Sequence, residues 1–477
     1  MIMDNMRTVF MDLGRLRDDY DSQILIEGIF KDLRDSRLTK TYSVGYNEGR
    51  NRRDLLEMFR KSHSRETSFI SPKSMSIQTD NFLTLEFLKS CRQPEHHGGY
   101  FLNLKGSRVE KSFHRRLNDA DLDILFAYVV RRPKISGISL PYNNLTNQGF
   151  AKLSEFLANQ KSIRYVNVMN NEITHLDENK LEEQICKWKV LCLNLRGNKI
   201  GQKGGETMAY LLTKNSTIRH LALGETEQTV NSVISIVNTL VQFGGNETLT
   251  KLDLTKTMVS TNAGELCRHL ACVVEVSHTL VELILSKNDI SDHDLEIFLE
   301  GLKHRNVLSR LNLSSNRITS HGAELFANVL PKTELKLLVL AGNMIGDSGA
   351  MAIGRTFTFT KLKYLDLSKN NIEDKGMTYL ILAIDRPMDG FLISGNKITD
   401  HVAKVIQAQF MYSLLNPKML DIRLWFDEEG NIHFARRNLW RYSDWYYYVP
   451  EWKHESKINH CCCPIRGGIL LQLLSDE

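Results

Sequence analysis

LSRLNLSSNRI at residues 308–318, LKLLVLAGNMI at 335–345 and LKYLDLSKNNI at 362–372 are one pattern written three times. Each is apolar at positions 1, 4, 6 and 11, carries Asn at position 9, and starts 27 residues after the one before. Three clear copies lie upstream: ISGISLPYNNL from Ile135, IRYVNVMNNEI from Ile163 and VLCLNLRGNKI from Val190. Weaker copies begin at Ile218, Leu249, Leu280 and Met388, which makes ten copies at steps of 26–31 residues. That regularity marks a repeat architecture.

Positions 4 and 6 are two apart, so their side chains point to one side of a short strand. The chain then has to turn, and an Asn at position 9 offers its side-chain amide to backbone groups the turn leaves unpaired. Asn143, Asn171, Asn198, Asn288, Asn316, Asn343, Asn370 and Asn396 fill this place. Thr226 and Thr257 stand in for it in two copies, where a local irregularity is expected rather than a break. Beyond the turn, GAELFANVL from Gly322 and GAMAIGRTF from Gly349 space apolar residues three and four apart, as a helix does. Gly149, Gly204, Gly322, Gly349 and Gly376 open this stretch, which implies a close approach of backbone. Asp292, Asp374 and Asp400 lie near helix starts and read as caps. One strand and one helix of this size cannot bury their own apolar faces. Stacked copies share a continuous core, with parallel strands inside and helices outside: an α/β horseshoe solenoid.

The frame LxxLxLxxNxI, followed by Gly-Ala and an amphipathic helix, resembles the ribonuclease-inhibitor type of leucine-rich repeat. The 27–31 residue period carries that likeness, because shorter repeats of the family lack room for a full helix. The resemblance spans roughly residues 100–425. It implies the horseshoe fold and a binding role, in a family that includes inhibitors, innate sensors, a GTPase activator, actin-associated proteins and ciliary components. The divergent unit ahead of the regular copies is similar to intracellular animal leucine-rich-repeat proteins of nuclear or ciliary type.

Outward from the ten copies at 135–418, residues 81–134 read as an N-terminal cap with a divergent repeat. Within it FLNLKGSRV from Phe101 supplies a strand and LNDADLDILFAYVV from Leu117 a helix. Residues 62–80 hold six serines and read as a linker, and residues 1–61 as a partly helical basic arm. Downstream, MLDIRLWFDEEG offers one more strand, with Met419, Ile422 and Leu424 at positions 1, 4 and 6. Residues 419–460 are expected to form an aromatic C-terminal cap rich in Trp and Tyr, and 461–477 a tail carrying Cys461, Cys462 and Cys463. Adjacent cysteines lack the separated spacing a zinc site needs, so no metal and no cofactor is expected.

The 477 residues carry a formal charge of +5. Residues 1–134 hold 24 basic against 19 acidic side chains, whereas 135–400 and 401–477 are each balanced. So small an excess is no nucleic-acid footprint, and no apolar run is long enough for a bilayer. No phosphate loop, HExxH or GxSxG is present, and the histidines are dispersed, so no enzyme is expected. A balanced, aromatic C-terminal region also differs from the acidic tail of Ran-type GTPase activators.

Function is therefore expected on the outward side of the strands. Position 2 contributes Arg164, Arg219, Lys336 and Lys363; position 3 contributes Tyr165, His220, Lys251, Glu282, Arg310 and Tyr364; position 8 contributes Lys256, Lys287 and Lys369. Basic residues predominate in this set, with the acids expected mainly on helices and loops. A rigid scaffold or adaptor follows, holding another protein with an acidic surface. Regulation of a small GTPase and structural service in a ciliary or axonemal assembly stand as alternatives. The expected location is inside the cell, in cytoplasm, nucleus or cilium, and the oligomeric state is left open.

Overall fold

The computed structural model describes residues 83–94, 99–242, 245–257, 263–304, 307–411, 415, 417 and 420–436. The basic arm, the serine-rich linker, the Trp- and Tyr-rich stretch at 439–452 and the cysteines at 461–463 lie outside these residues.

Twelve short strands stack in chain order: β1 (Arg92–Pro94), β2 (Tyr100–Asn103), β3 (Ile135–Ser139), β4 (Tyr165–Asn167), β5 (Cys192–Asn194), β6 (His220–Ala222), β7 (Lys251–Asp253), β8 (Glu282–Ile284), β9 (Arg310–Asn312), β10 (Leu337–Val339), β11 (Tyr364–Asp366) and β12 (Gly390–Leu392). β1 runs antiparallel on β2 and blunts that edge of the sheet. Every later pair is parallel, and from β3 to β12 each is aligned in register, position 3 against position 3.

Each gap between strands is crossed by a helix, from Asn147–Asn159 after β3 to Asp400–Met411 after β12. The strands lie about 4.8 Å apart and packed helices about 9 Å apart, so the sheet takes the inside of the curve. This is the α/β horseshoe solenoid that the period implies.

Position 4 is the spine of the core: Ile138, Val166, Leu193, Leu221, Leu252, Leu283, Leu311, Leu338, Leu365 and Phe391 are all within 2% of complete burial. Truncating one such side chain to Ala costs about 2–5 kcal/mol.

The turns are joined by asparagine rungs. Asn316 Nδ2 donates to Leu313 O at 2.8 Å and, one copy back, to Leu285 O at 3.0 Å. Its Oδ1 accepts from the N–H groups of Asn288 and Ile290, also one copy back. Asn343, Asn370 and Asn396 repeat all four bonds. Asn143, Asn171, Asn198 and Asn288 each likewise bond a carbonyl and an amide of the preceding copy. The Thr226 side chain bonds only within its own copy, donating to Leu223 O, and Thr257 donates to Asn288 Oδ1. The sheet continues through both copies.

Position 8 has a backbone property that residue identity conceals. Tyr142, Asn170, Glu225, Lys256, Lys287, Ser315 and Lys369, with Gly197, Gly342 and Gly395, all have φ between +50° and +76°. All ten copies turn through the left-handed region, although only three use glycine there.

The C-terminal end departs from the repeat. Ile422–Phe426 (β13) does not extend the parallel sheet; it pairs antiparallel with Ile432–Arg436 (β14) in a hairpin. The sequence IRLWF-DEEGN-IHFAR explains this, since two alternating runs flank a Gly-containing turn and Gly430 takes φ +83°. A single parallel bridge, Phe391 to Leu420, links the segment to β12. Asp421 finishes the sheet edge: its carboxylate accepts from the N–H groups of Ile393 and Ser394, which face the side where a further strand would lie.

Candidate interaction surface

Register aligns the outward side chains of β4 to β11 into rows. In the position-3 row Lys251 Nζ lies 2.5 Å from Glu282 Oε1, and Arg310 Nη1 lies 3.2 Å from Glu282 Oε2. Burial on its own raises the Glu282 carboxyl, but Lys251 and Arg310 outweigh it and hold the group at about 2. His220, between Cys192 and Lys251 in the same row, is driven down to about 3 by burial and by Lys251, so its ring is neutral.

A second cluster lies beside the first. Arg196 Nη1 is 3.0 Å from Asp253 Oδ2, and Glu225 Oε1 lies 3.4 Å from both Arg196 Nη2 and Lys287 Nζ. The strand side thus carries Glu225, Asp253, Glu282 and Asp366 among its cations. Lys251, Lys287 and Arg310 each have a carboxylate partner. The face is electrically mixed: Glu282 at position 3 is joined by Glu225 at position 8 and by Asp253 and Asp366 at position 5.

The remaining expected residues divide by exposure. Arg164 Nη1 donates to Lys161 O at 2.6 Å and to Lys189 O at 3.3 Å, fastening the entry of its strand to that of the next copy. Tyr165 is buried with its ring centroid 5.1 Å from that of Phe101, and Tyr364 is fully buried. Arg219 is half-buried. Lys256, Lys336, Lys363 and Lys369 are exposed, and Lys363 N bonds Lys336 O at 2.9 Å, so these two lysines stand on adjoining strand entries. Leu337, Val339 and Leu392 also occupy outward positions and are buried.

Burial also decides against nucleophilic chemistry at the one Cys–His pairing in register, Cys192 with His220. It raises the Cys192 thiol well above its ordinary value while keeping His220 uncharged, the reverse of an activated thiolate. Asp366 is fully enclosed, and burial lifts its carboxyl to about 7 against hydrogen bonds from the Ser368 hydroxyl and N–H. Among the described residues no cluster of three His, Cys, Asp or Glu side chains is placed to hold a metal ion. No helix among them is long and apolar enough to cross a membrane.

Two sets of structural residues have roles that the sequence pattern does not show. Asn215 and Asn246 match a glycosylation pattern (N-x-S/T), yet both are buried where helix returns to strand. Asn246 Nδ2 donates to Leu212 O and Asn215 O, and its Oδ1 accepts from Thr248 N and Leu249 N. The N-x-T-I/L spacing, at Asn215 and Asn246, was the available signal. The second set lies at position 13. Asp292, at the start of its own helix, accepts from the N–H and hydroxyl of Thr319, the N-cap of the next copy. Asp119 serves Thr146, Asp347 serves Glu373 and Asp374 serves Thr399 in the same way, while Asn147 Oδ1 accepts from Thr174 N and His175 N ahead of the helix Glu178–Ile185. These carboxylates cap the neighbour's helix, and the opening glycines make room: a Cβ on Gly149, Gly322 or Gly376 would collide with Asp119, Asp292 or Asp347.

Comparison with known proteins agrees with the architecture. Residues 189–209, 276–296, 304–327, 333–354 and 360–380 match the family described as Leucine Rich repeat. Over 151 residues the chain is 28% identical to NACHT, LRR and PYD domains-containing protein 12 of Mus musculus, a stretch that spans 31% of this chain and 14% of that protein. Among solved structures, an internalin (inlF) of Listeria monocytogenes is 18% identical, with 57% of this chain and 78% of that one covered and a TM-score of 0.31. The leucine-rich repeat-containing protein LegL7 of Legionella pneumophila is 15% identical, with 62% and 85% covered and a TM-score of 0.39.

Proposed function

We propose that this leucine-rich repeat protein is a non-enzymatic scaffold that holds a protein partner along the strand side of its solenoid. The observation that carries the reading is the unbroken register of β3 to β12, which fixes ten sets of outward side chains on one rigid frame. A curved, pre-ordered array of this kind loses little entropy when it binds. We assign the first contacts to Lys256, Lys336 and Lys363, which are exposed, and give Lys251, Lys287 and Arg310 the role of organising the face through Glu282 and Glu225. An acidic surface on the partner suits that set. Exposed lysines steer such a surface in solution, so association is expected to slow as salt rises. The period and full helix favour the ribonuclease-inhibitor type of repeat, and the cytoplasm is the location we assign.

The test is affinity capture with the native chain and with a K256E/K336E/K363E variant, each recovered partner being quantified by mass spectrometry. Loss of about tenfold or more of the native partner is expected, equivalent to about 1.4 kcal/mol. Equal recovery overturns the assignment of these lysines. Regulation of a small GTPase and service in a ciliary assembly are narrower forms of the proposal. Acceleration of GTP hydrolysis by the purified protein separates the first from the second.

A further inference from the structure

The position-13 ladder changes partner at its last rung. Asp119, Asp292, Asp347 and Asp374 each bond the next copy's helix start, but Asp400 bonds the terminal hairpin instead. Its Oδ2 lies 2.7 Å from His433 Nδ1 on β14, and the other ring nitrogen, Nε2, lies 2.9 Å from Asp427 Oδ2 in the hairpin turn. A neutral imidazole has one N–H and one bare lone pair, so it would turn that lone pair toward one of the two carboxylates. Only the imidazolium donates to both.

The surroundings hold this geometry. Asp427 Oδ1 accepts from Asn431 N at 2.7 Å and Glu429 N at 3.1 Å, and Oδ2 accepts from Asn431 Nδ2 at 2.9 Å, so the carboxylate is fixed by its own turn. Trp425 on β13 places its ring 4.7 Å from the His433 ring, centroid to centroid, where an aromatic face favours a cation. The charged groups facing the imidazole are Asp400 from the helix Asp400–Met411 and Asp427 from the turn; β13 contributes the Trp425 ring.

We propose that His433 is a proton-operated latch: charged, it rivets the hairpin to the last helix by bridging Asp400 and Asp427, and uncharged, it lets the hairpin leave the end of the solenoid. Hydrogen bonds donated to Asp427 and then to Asp400 raise the His433 pKa above 6.5, and bonds from His433 and Asn431 hold Asp427 down at about 2. The raised histidine stabilises docking fully below about pH 6.5, and that contribution is lost as pH rises through the folded value. The lowered Asp427 contributes above about pH 4, and that contribution is lost as pH falls through about 2. Docking is therefore strongest in mildly acidic solution and loosens on the alkaline side.

The full chain tests this in two measurements: NMR titration of the histidine Cε1–H signals, with His433 assigned by H433Q, and amide exchange of residues 422–436 corrected for intrinsic rates. His433 is expected to titrate above 6.5, and protection of the hairpin to fall across that titration while β8 to β11 stay protected. D400N leaves the hairpin's turn intact and is expected to move both transitions to lower pH, so the test does not depend on H433Q docking. A His433 titration at or below 6.5, or hairpin protection as flat with pH in the native chain as in H433Q, overturns the latch.

Discussion

Lys256 carries two demands at once. Its side chain is among the exposed cations of the strand side, and its backbone sits at φ +51°. A Cβ in that region is disfavoured by about 1–2 kcal/mol. The turn keeps it there because Lys256 N bonds Ser286 O at 2.8 Å, as every position-8 amide from Tyr142 to Lys369 bonds the next copy. Lys256→Gly removes the strain and is expected to raise stability by about 1 kcal/mol in urea denaturation, after the greater freedom of glycine in the unfolded chain is counted. Lys256→Ala keeps the Cβ and is expected to change little. A stabilised alanine variant would point to charge rather than backbone. This feature was invisible in the sequence, because Lys, Glu, Ser and Tyr at position 8 do not announce a left-handed turn.

At the scale of the element, the joint between helices holds an instructive conflict. Gly322 lies inside the helix Ser320–Val329, where Ala would ordinarily be better by about 1 kcal/mol. A Cβ there would strike Asp292 and dislodge the carboxylate from the N–H and hydroxyl of Thr319. Losing an N-cap partnership costs about 1–2 kcal/mol, and the displaced carboxylate adds to that. Gly322→Ala is therefore expected to destabilise by about 2 kcal/mol, against the sign of helix propensity. In an Asp292→Ala background the same substitution is expected to lose most of its effect, which a double-mutant cycle reads directly. The sequence located both partners, an acid near a helix start and a glycine opening the next helix. It did not reveal that they belong to neighbouring copies, since a cap within one helix and a cap across a joint leave the same residue types at the same spacing.

Across the whole solenoid, continuity depends on rungs that are not equal. Eight copies tie back through Asn, while the Thr226 side chain bonds only within its own copy and Thr257 leans on Asn288. The copies starting at Ile218 and Leu249 also have the longest steps, 31 residues each. Amide exchange is expected to be fastest, among repeats 2 to 9, at the turns around 226 and 257, by about fivefold relative to those at 316 and 343, since one missing buried hydrogen bond is worth about 1 kcal/mol. Uniform protection across these turns would mean that Gln228, which donates to Gly201 O and Thr226 O, makes up the loss. The period, the core positions and the fold were legible from positions 1, 4, 6, 9 and 11, because each of these recurs at a fixed place in most copies. The electrostatics of the candidate surface were not legible to the same degree. Whether Lys251 and Arg310 face solvent or Glu282 depends on register between copies, and a list of single positions carries no register.

The asparagine rungs also have a direction, and it sets an order in time. Asn396 accepts from Asn370 and Ile372, and Asn370 accepts from Asn343 and Ile345: wherever Asn holds position 9, a later residue completes an earlier turn. On the ribosome the later residue is the one not yet made. Each copy therefore leaves the exit tunnel with its turn amides still in water, and sheds that water when its successor appears. In a chain made from its N-terminus these turns are expected to close one repeat in arrears, so the turn at the growing end is the last to lose its water.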